Sequence, residues 1–103
     1  MADYEGYLNL DDLAEDCAVM HLAAVGACID SYVVNRAREG AFIFLRRAAI
    51  NLRFAKACGV DVSASLRELD RYVCEHRTLF PNSIFSKLKD LDDIVGRGGS
   101  LFR

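Results

Sequence analysis

The sequence predicts an all-α protein, a small four-helix bundle with a long first helix that is apolar on nearly every side, and it predicts that the bundle is oligomeric. Three observations lead there. Apolar residues recur at three- and four-residue spacing along most of the chain and nowhere alternate with period two. Gly40, Gly59, Pro81 and Gly96 fall in the gaps between these periodic stretches, where helices stop. Hydrophobic residues make up 52% of 103 residues, while a chain this size buries only about 60–65% of its unfolded surface. Apolar surface is therefore left over for a partner. Residues 1–96 are expected to form a single helical domain and 97–103 a flexible C-terminal tail.

Each helix has its own signals. The first is expected over 10–38, with Asn9 or Asp11 as cap and Asp12, Glu15 and Asp16 at its positive end. Leu10, Leu13, Cys17, Met20 and Ala24 set its period, Arg36 and Arg38 close it, and Gly40 suits its C-terminal cap. The second helix carries Phe42, Leu45, Ala49, Leu52 and Ala55 along one side, with Arg46, Arg47, Arg53 and Lys56 mostly elsewhere, and stops at Gly59. The third has Leu66, Leu69, Tyr72 and Val73 as its stripe and runs to about Arg77. Ser65 and Glu68 have capping-box spacing at its start, with Asp61 and Ser63 as alternative caps. Pro81 separates it from the last helix, "SIFSKLKDLDDIV", which ends at Gly96.

The stretch "CAVMHLAAVGACIDSYVV", residues 17–34, has the length of a membrane span, about 27 Å at ~1.5 Å per residue. Its composition argues against one. Leu22 and Ile29 are its only Leu and Ile, and Asp30 would cost about 2.5–3.5 kcal/mol near a bilayer centre. No membrane is expected. Ala18, Ala23, Ala24, Gly26 and Ala27 instead let another helix approach closely, and a helix apolar all round must be covered all round. A second copy of the same helix is the economical cover. The expected oligomer interface is Ala23, Ala24, Ala27 and Val33.

Charge is sorted along the chain. Residues 1–30 hold seven acids (Asp3, Glu5, Asp11, Asp12, Glu15, Asp16, Asp30) and no Lys or Arg, while 31–60 hold six bases against Glu39 alone. One account is an acidic helix facing a basic one across a hairpin or dimer; the other is a charged surface that meets a partner. The basic residues Arg46, Arg47, Arg53 and Lys56 are the first choice for that partner contact, and the acidic start of the first helix the second. Tyr4 and Tyr7 precede the first helix as further candidates for filling a neighbour's surface.

Three patterns bear on chemistry. Cys17, His21 and Cys28 share one helical face, but Cys28 lies about 10 Å of rise from His21, so they cannot surround an ion unaided. They are read as core thiols and a hydrogen-bonded histidine, with no metal. The stretch "LRFAKACGVDVSASLREL" has Ala55, Gly59 and Val60 at the spacing of a helix-turn-helix, which would place Arg67 and Arg71 toward DNA. In "RYVCEH", Arg71 and His76 are separated by four residues, a spacing that resembles the Arg-x4-His motif of HEPN-domain ribonucleases. That resemblance implies a small all-α dimer in which the pair promotes attack by the RNA 2′-hydroxyl without metal. Tyr72 and Thr78 depart from the family's usual pattern on either side of the pair.

No Ser-His-Asp set, paired-carboxylate cleft or phosphate-cradling glycine loop is present, and no cofactor is expected. The four cysteines form no CxxC pair and no secretory signal opens the sequence, so free thiols and a cytoplasmic location are expected. The reading that results is a non-enzymatic helical interaction protein, a homo-oligomer of the inhibitor, immunity or phage-regulator kind. It engages one protein partner through a charged surface, in preference to nucleic acid. The alternatives are a helix-turn-helix DNA-binding regulator and a metal-independent ribonuclease using Arg71 and His76. Nothing in the sequence bars a small-molecule ligand.

Overall fold

The computed structural model describes the backbone of residues 10–96 and the side chains of 17–96, and it is all-helical over that range. Four α-helices follow in order: α1 (Leu10–Asn35), α2 (Phe42–Ala57), α3 (Ser63–Leu79) and α4 (Phe85–Val95), with one 3-10 turn over Glu39–Ala41 ahead of α2. No strand occurs among the described residues. The N-terminal tyrosines, the Asn9 cap and the tail 97–103 lie outside the described residues, as do the side chains of the acidic first turns of α1.

Helix α2 occupies the middle. Its apolar side, Phe42, Leu45, Ala48, Ala49, Leu52 and Ala55, is buried throughout, and α1, α3 and α4 all pack against it. The largest of these contacts is the hairpin of α1 with α2. Ala and Leu alternate along this side, so neighbouring backbones approach closely at the alanines while the leucines fill the space between. Helix α3 adds Leu69 and Val73, and α4 adds Leu88, Leu91 and Val95, each set at helical spacing. Helix α2 buries the whole stripe that its sequence predicts, while α3 buries Leu69 and Val73 fully and Leu66 and Tyr72 in part.

Helix α1 does not bury its expected stripe. Its buried residues are Ala18, Val25, Ile29 and Tyr32, whereas Cys17 and Met20, which set the expected period, are exposed and Ala24 is half-buried. A helix that is apolar on every side carries no periodic signal to say which side faces the core. The neighbours decide instead: Tyr32 bonds to α3 and His21 to α2.

The helix boundaries also differ in places. Helix α1 ends at Asn35, three residues short of the expected Arg38, where Arg38 N–H turns back onto the Asn35 carbonyl at 2.9 Å. Arg38 is extended and Ala41 N–H bonds to its carbonyl, which starts the 3-10 turn. Gly40 lies inside that turn and is not a left-handed cap. Gly59 and Gly96 are the left-handed positions, with φ of 89° and 74°, and they end α2 and α4. At the start of α3 the Asp61 carboxylate accepts from Ser63 N–H at 3.0 Å and from the Ser63 hydroxyl at 2.6 Å. These bonds hold its carboxyl below the usual range. Val62 is the N-cap residue, Asp61 one position before it supplies the side-chain acceptor, and Ser65 falls inside the helix.

Because α2 is the surface on which the other helices meet, Leu45→Ala opens a cavity that no single neighbour can close. Chemical denaturation of this variant is expected to show a loss of about 2–5 kcal/mol. Ile43→Ala, on the exposed side of the same helix, is expected to change stability by about 0.5 kcal/mol or less.

Candidate functional site

The outer side of α1 is the first surface that the fold leaves uncovered. From Val19 to Val34, the side chains of α1 that point away from α2 and α3 are apolar apart from Asp30. Met20 is 70% exposed and Val34 83%. Among the residues expected at an oligomer interface, Ala23, Ala27 and Val33 are exposed and Ala24 is half-buried, so all four border open surface. The stretch Cys17–Asn35 has a mean hydropathy of 1.7 and is long and apolar enough to cross a membrane, yet only 22% of it is buried.

The outer ridge of α2 is the second surface. Ile43, Arg47, Ile50 and Phe54 follow one another at helical spacing along it, with Arg46 and Arg53 one stripe to the side. Apolar and guanidinium groups thus alternate. Phe54 is 53% exposed but held in place, because the His21 ring stacks on it at 5.2 Å. His21 is fixed in turn by its Nδ1–H, which donates to Asn51 Oδ1 at 2.9 Å. Arg46 Nε donates to Asp90 of α4 at 3.0 Å in a half-exposed pair. Such surface pairs contribute about 0–1 kcal/mol and exchange readily. Lys56 stands apart, about 180° around the helix from Arg47. The four basic residues therefore wrap α2 and do not form one stripe.

The cysteines and His21 do not assemble into a centre. Cys17 is exposed, Cys28 is half-buried, no disulfide joins any of the four cysteines, and no cluster of three or more potential ligands forms among the described residues. Burial raises the Cys28 pKa more than the nearby Arg47 lowers it, which disfavours the thiolate.

The structure also keeps Arg71 and His76 apart. Five residues along a helix turn a side chain by about 140°, and the two point accordingly to solvent and to the core. Arg71 is exposed: its guanidinium lies 4.8 Å from the Tyr72 ring centre and Nη2 donates to the Tyr72 hydroxyl at 3.0 Å. With Arg67 and Glu68 it lines a shallow hollow of about 380 Å³. His76 is 0% exposed, enclosed by Tyr32, Phe42 and Phe80 at ring distances of 4.9–5.6 Å. An imidazole so enclosed reaches no substrate. The geometry gives no support to the ribonuclease-like pairing.

His76 is instead a core residue that sequence reading missed. Its Nδ1 accepts from the Tyr32 hydroxyl at 3.1 Å, linking α3 to α1. Its Nε2 is buried without a hydrogen-bond partner among the described residues, and the Glu39 backbone lies near the ring. Burial pushes the Tyr32 pKa up to about 12, so its hydroxyl remains a donor throughout the neutral range. Burial likewise lowers the His76 pKa below 6.5, with Lys87 in the same direction and the Glu39 carbonyl and the Glu39 and Glu75 carboxylates opposing. The core holds the neutral ring.

No protein-family model, curated protein or solved structure matches the chain.

The position of His76 gives a sign for pH dependence. Its folded-state pKa lies below the 6.5 of the free side chain, so below about pH 6.5 the unfolded chain binds a proton more readily than the folded one. Its contribution to stability is present above that pH and is lost as the pH falls. Denaturation midpoints taken from pH 8 to 5 are expected to drop, and in His76→Phe the drop is expected to shrink. Arg71→Ala, by contrast, is expected to shift stability by about 0.5 kcal/mol or less at any of these pH values.

Proposed function

We propose that the protein is a non-enzymatic helical interaction protein, which self-associates through the outer side of α1 and engages one macromolecular partner through the basic ridge of α2. The observation that carries this reading is the bare apolar side of α1. A monomer would hold Val19, Met20, Val33 and Val34 in water along one continuous strip. Exposed apolar patches of this kind mark interaction surfaces in soluble proteins. Association removes the strip from water and leaves the ridge of α2 as the surface presented to others.

The chemistry of that ridge suits an acidic protein surface. Interfaces are enriched in Arg and aromatic side chains, and their strongest contacts are such groups held rigidly in place. Arg47 and Arg53 beside Phe54, itself propped by His21, supply that combination. The reading involves no cofactor or metal. Roles of this type are those of inhibitors, immunity proteins and small regulators, and a cytoplasmic setting with reduced thiols fits it.

A second reading, DNA binding, is favoured by one observation: Arg67 and Arg71 both face solvent on α3, just beyond the Gly59 corner. The two readings separate in a salt titration with duplex DNA. Affinity that falls steeply and linearly in log–log form with added salt favours DNA, whereas negligible retention at physiological salt favours a protein partner.

The primary test is solution mass by light scattering on a sizing column, where the protomer contributes 11.5 kDa. The wild-type chain is expected at twice that mass or more at two protein concentrations. Ala27→Glu places a charge at the centre of the strip and is expected to give the monomer mass with unchanged helix content. A wild-type monomer overturns the self-association reading.

A further inference from the structure

We propose that a second copy of this chain covers α1, running antiparallel to the first, about a two-fold axis that passes between Gly26 and Ala27. The inference rests on the self-association reading above and adds to it the orientation and register of the seam.

The exposed positions of α1 are symmetric about that point in both spacing and size. Large side chains stand at the two ends, Val19 and Met20 at one and Val33 and Val34 at the other. Small ones stand between them, with Gly26 and Ala27 at the middle and Ala23 and Asp30 on either side. The surface is thus a saddle, lowest at its centre, where two helices cross most closely. An antiparallel two-fold axis at the centre sets Val19 against the partner copy's Val34, with Met20 and the partner copy's Val33 level with one another but on opposite edges of the seam. Gly26 supports this independently. Glycine weakens a helix interior, and within one protomer a Cβ at this position would meet nothing within 4 Å. No contact inside the chain explains the missing side chain, whereas close approach of a second helix does.

Charge selects the orientation. The first turns of α1 hold Asp11, Asp12, Glu15 and Asp16, and the turn after it holds Arg36 and Arg38 with Glu39. Antiparallel pairing about this axis brings the acidic end of each copy level with the Arg36–Arg38 turn of the other. It also separates the two Asp30 side chains by seven residues, about 10 Å of helix rise, so that each lies beside the partner copy's Ala23. Parallel pairing would set Asp30 against Asp30 and each acidic end against its own copy. The helix dipoles oppose parallel pairing as well.

Two experiments test the proposal. Gly26→Leu replaces a helix-weakening residue in open space with a helix former, so the helix content and melting temperature of the protomer are expected to hold or rise. At the seam the same side chain overpacks the crossing, and the dimer dissociation constant is expected to rise about tenfold or more. An unchanged dimer overturns the proposal. The second experiment places single cysteines in a chain whose Cys17, Cys28, Cys58 and Cys74 are replaced by Ala. Val19→Cys alone and Val34→Cys alone are expected not to cross-link, because 19 and 19 of the partner copy lie about 22 Å apart along the seam. Refolded together, the two variants are expected to form a mixed disulfide dimer. Self-linking of Val19→Cys in a dimer would establish a parallel seam and overturn this proposal alone. A dimer with no cross-link in any combination would place the seam elsewhere and also overturn it. A monomer would remove the self-association reading itself, and its co-flotation with phosphatidylglycerol vesicles would give the strip to lipid.

Discussion

Leu45, Ala48, Ala49, Leu52 and Ala55 line the buried side of α2, and the other three helices all pack on this one stripe. The arrangement limits what each neighbour can cover. Helices α3 and α4 are amphipathic, so one contact side is all they require. Helix α1 is apolar on every side, yet it receives the same allowance: a contact with α2, plus a narrower one with α3 near Tyr32. The exposed strip from Val19 to Val34 is therefore no accident of one side chain's conformation. It follows from placing a helix that demands full burial at the edge of a three-way junction around α2.

The same junction accounts for the main polar group in the core. Where α1, α2 and α3 converge, Tyr32 and His76 bring two polar atoms together among Phe42, Phe80 and aliphatic neighbours. A buried hydroxyl or imidazole without a partner is costly. The bond between them fixes the register of α1 against α3, since a shift of either helix by one residue breaks it. The exposed ion pair of Arg36 with Glu75, 3.1 Å long, lies one turn further along α1 and reinforces the same register from outside. Specific polar pairing thus sets how α1 sits, in a helix whose own apolar pattern leaves its rotation undetermined.

That division explains what could be read from the sequence. Helices α2, α3 and α4 have one apolar side each, so their presence, their approximate limits and most of the buried residues of α2 and α3 follow from periodicity, glycine and proline. Helix α1 was legible as a helix, and its excess of apolar surface was legible as unspent, but the choice of Met20 over Val25 as a core position had no signal to correct it. His76 was hidden for a different reason. Its spacing from Arg71 drew attention to chemistry, while its spacing from Leu69 and Val73, at i+7 and i+3, places it on the buried stripe of α3. Gly40 misled because a glycine after a helix commonly takes a left-handed cap. Here the chain had already left the helix at Asn35.

Charge sorting completes the argument. Of the acids in residues 1–30 only Asp30 has a described side chain, and it makes no ion pair with α2. Among the described residues the ion pairs run elsewhere, from Arg36 to Glu75 of α3 and from Arg46 to Asp90 of α4. The hairpin is held by apolar contact and by the neutral bond from His21 to Asn51. Arg47, Arg53 and Asp30 accordingly point outward, with their charge available to other molecules. A strip of small apolar residues with acid at one end and base at the other is complementary to itself when reversed, and to little else. Among the described residues Arg47 and Arg53 of the α2 ridge make no ion pair. On the proposed reading the first surface takes a second copy and the second a foreign partner, so one chain of this size would carry both contacts without making them compete.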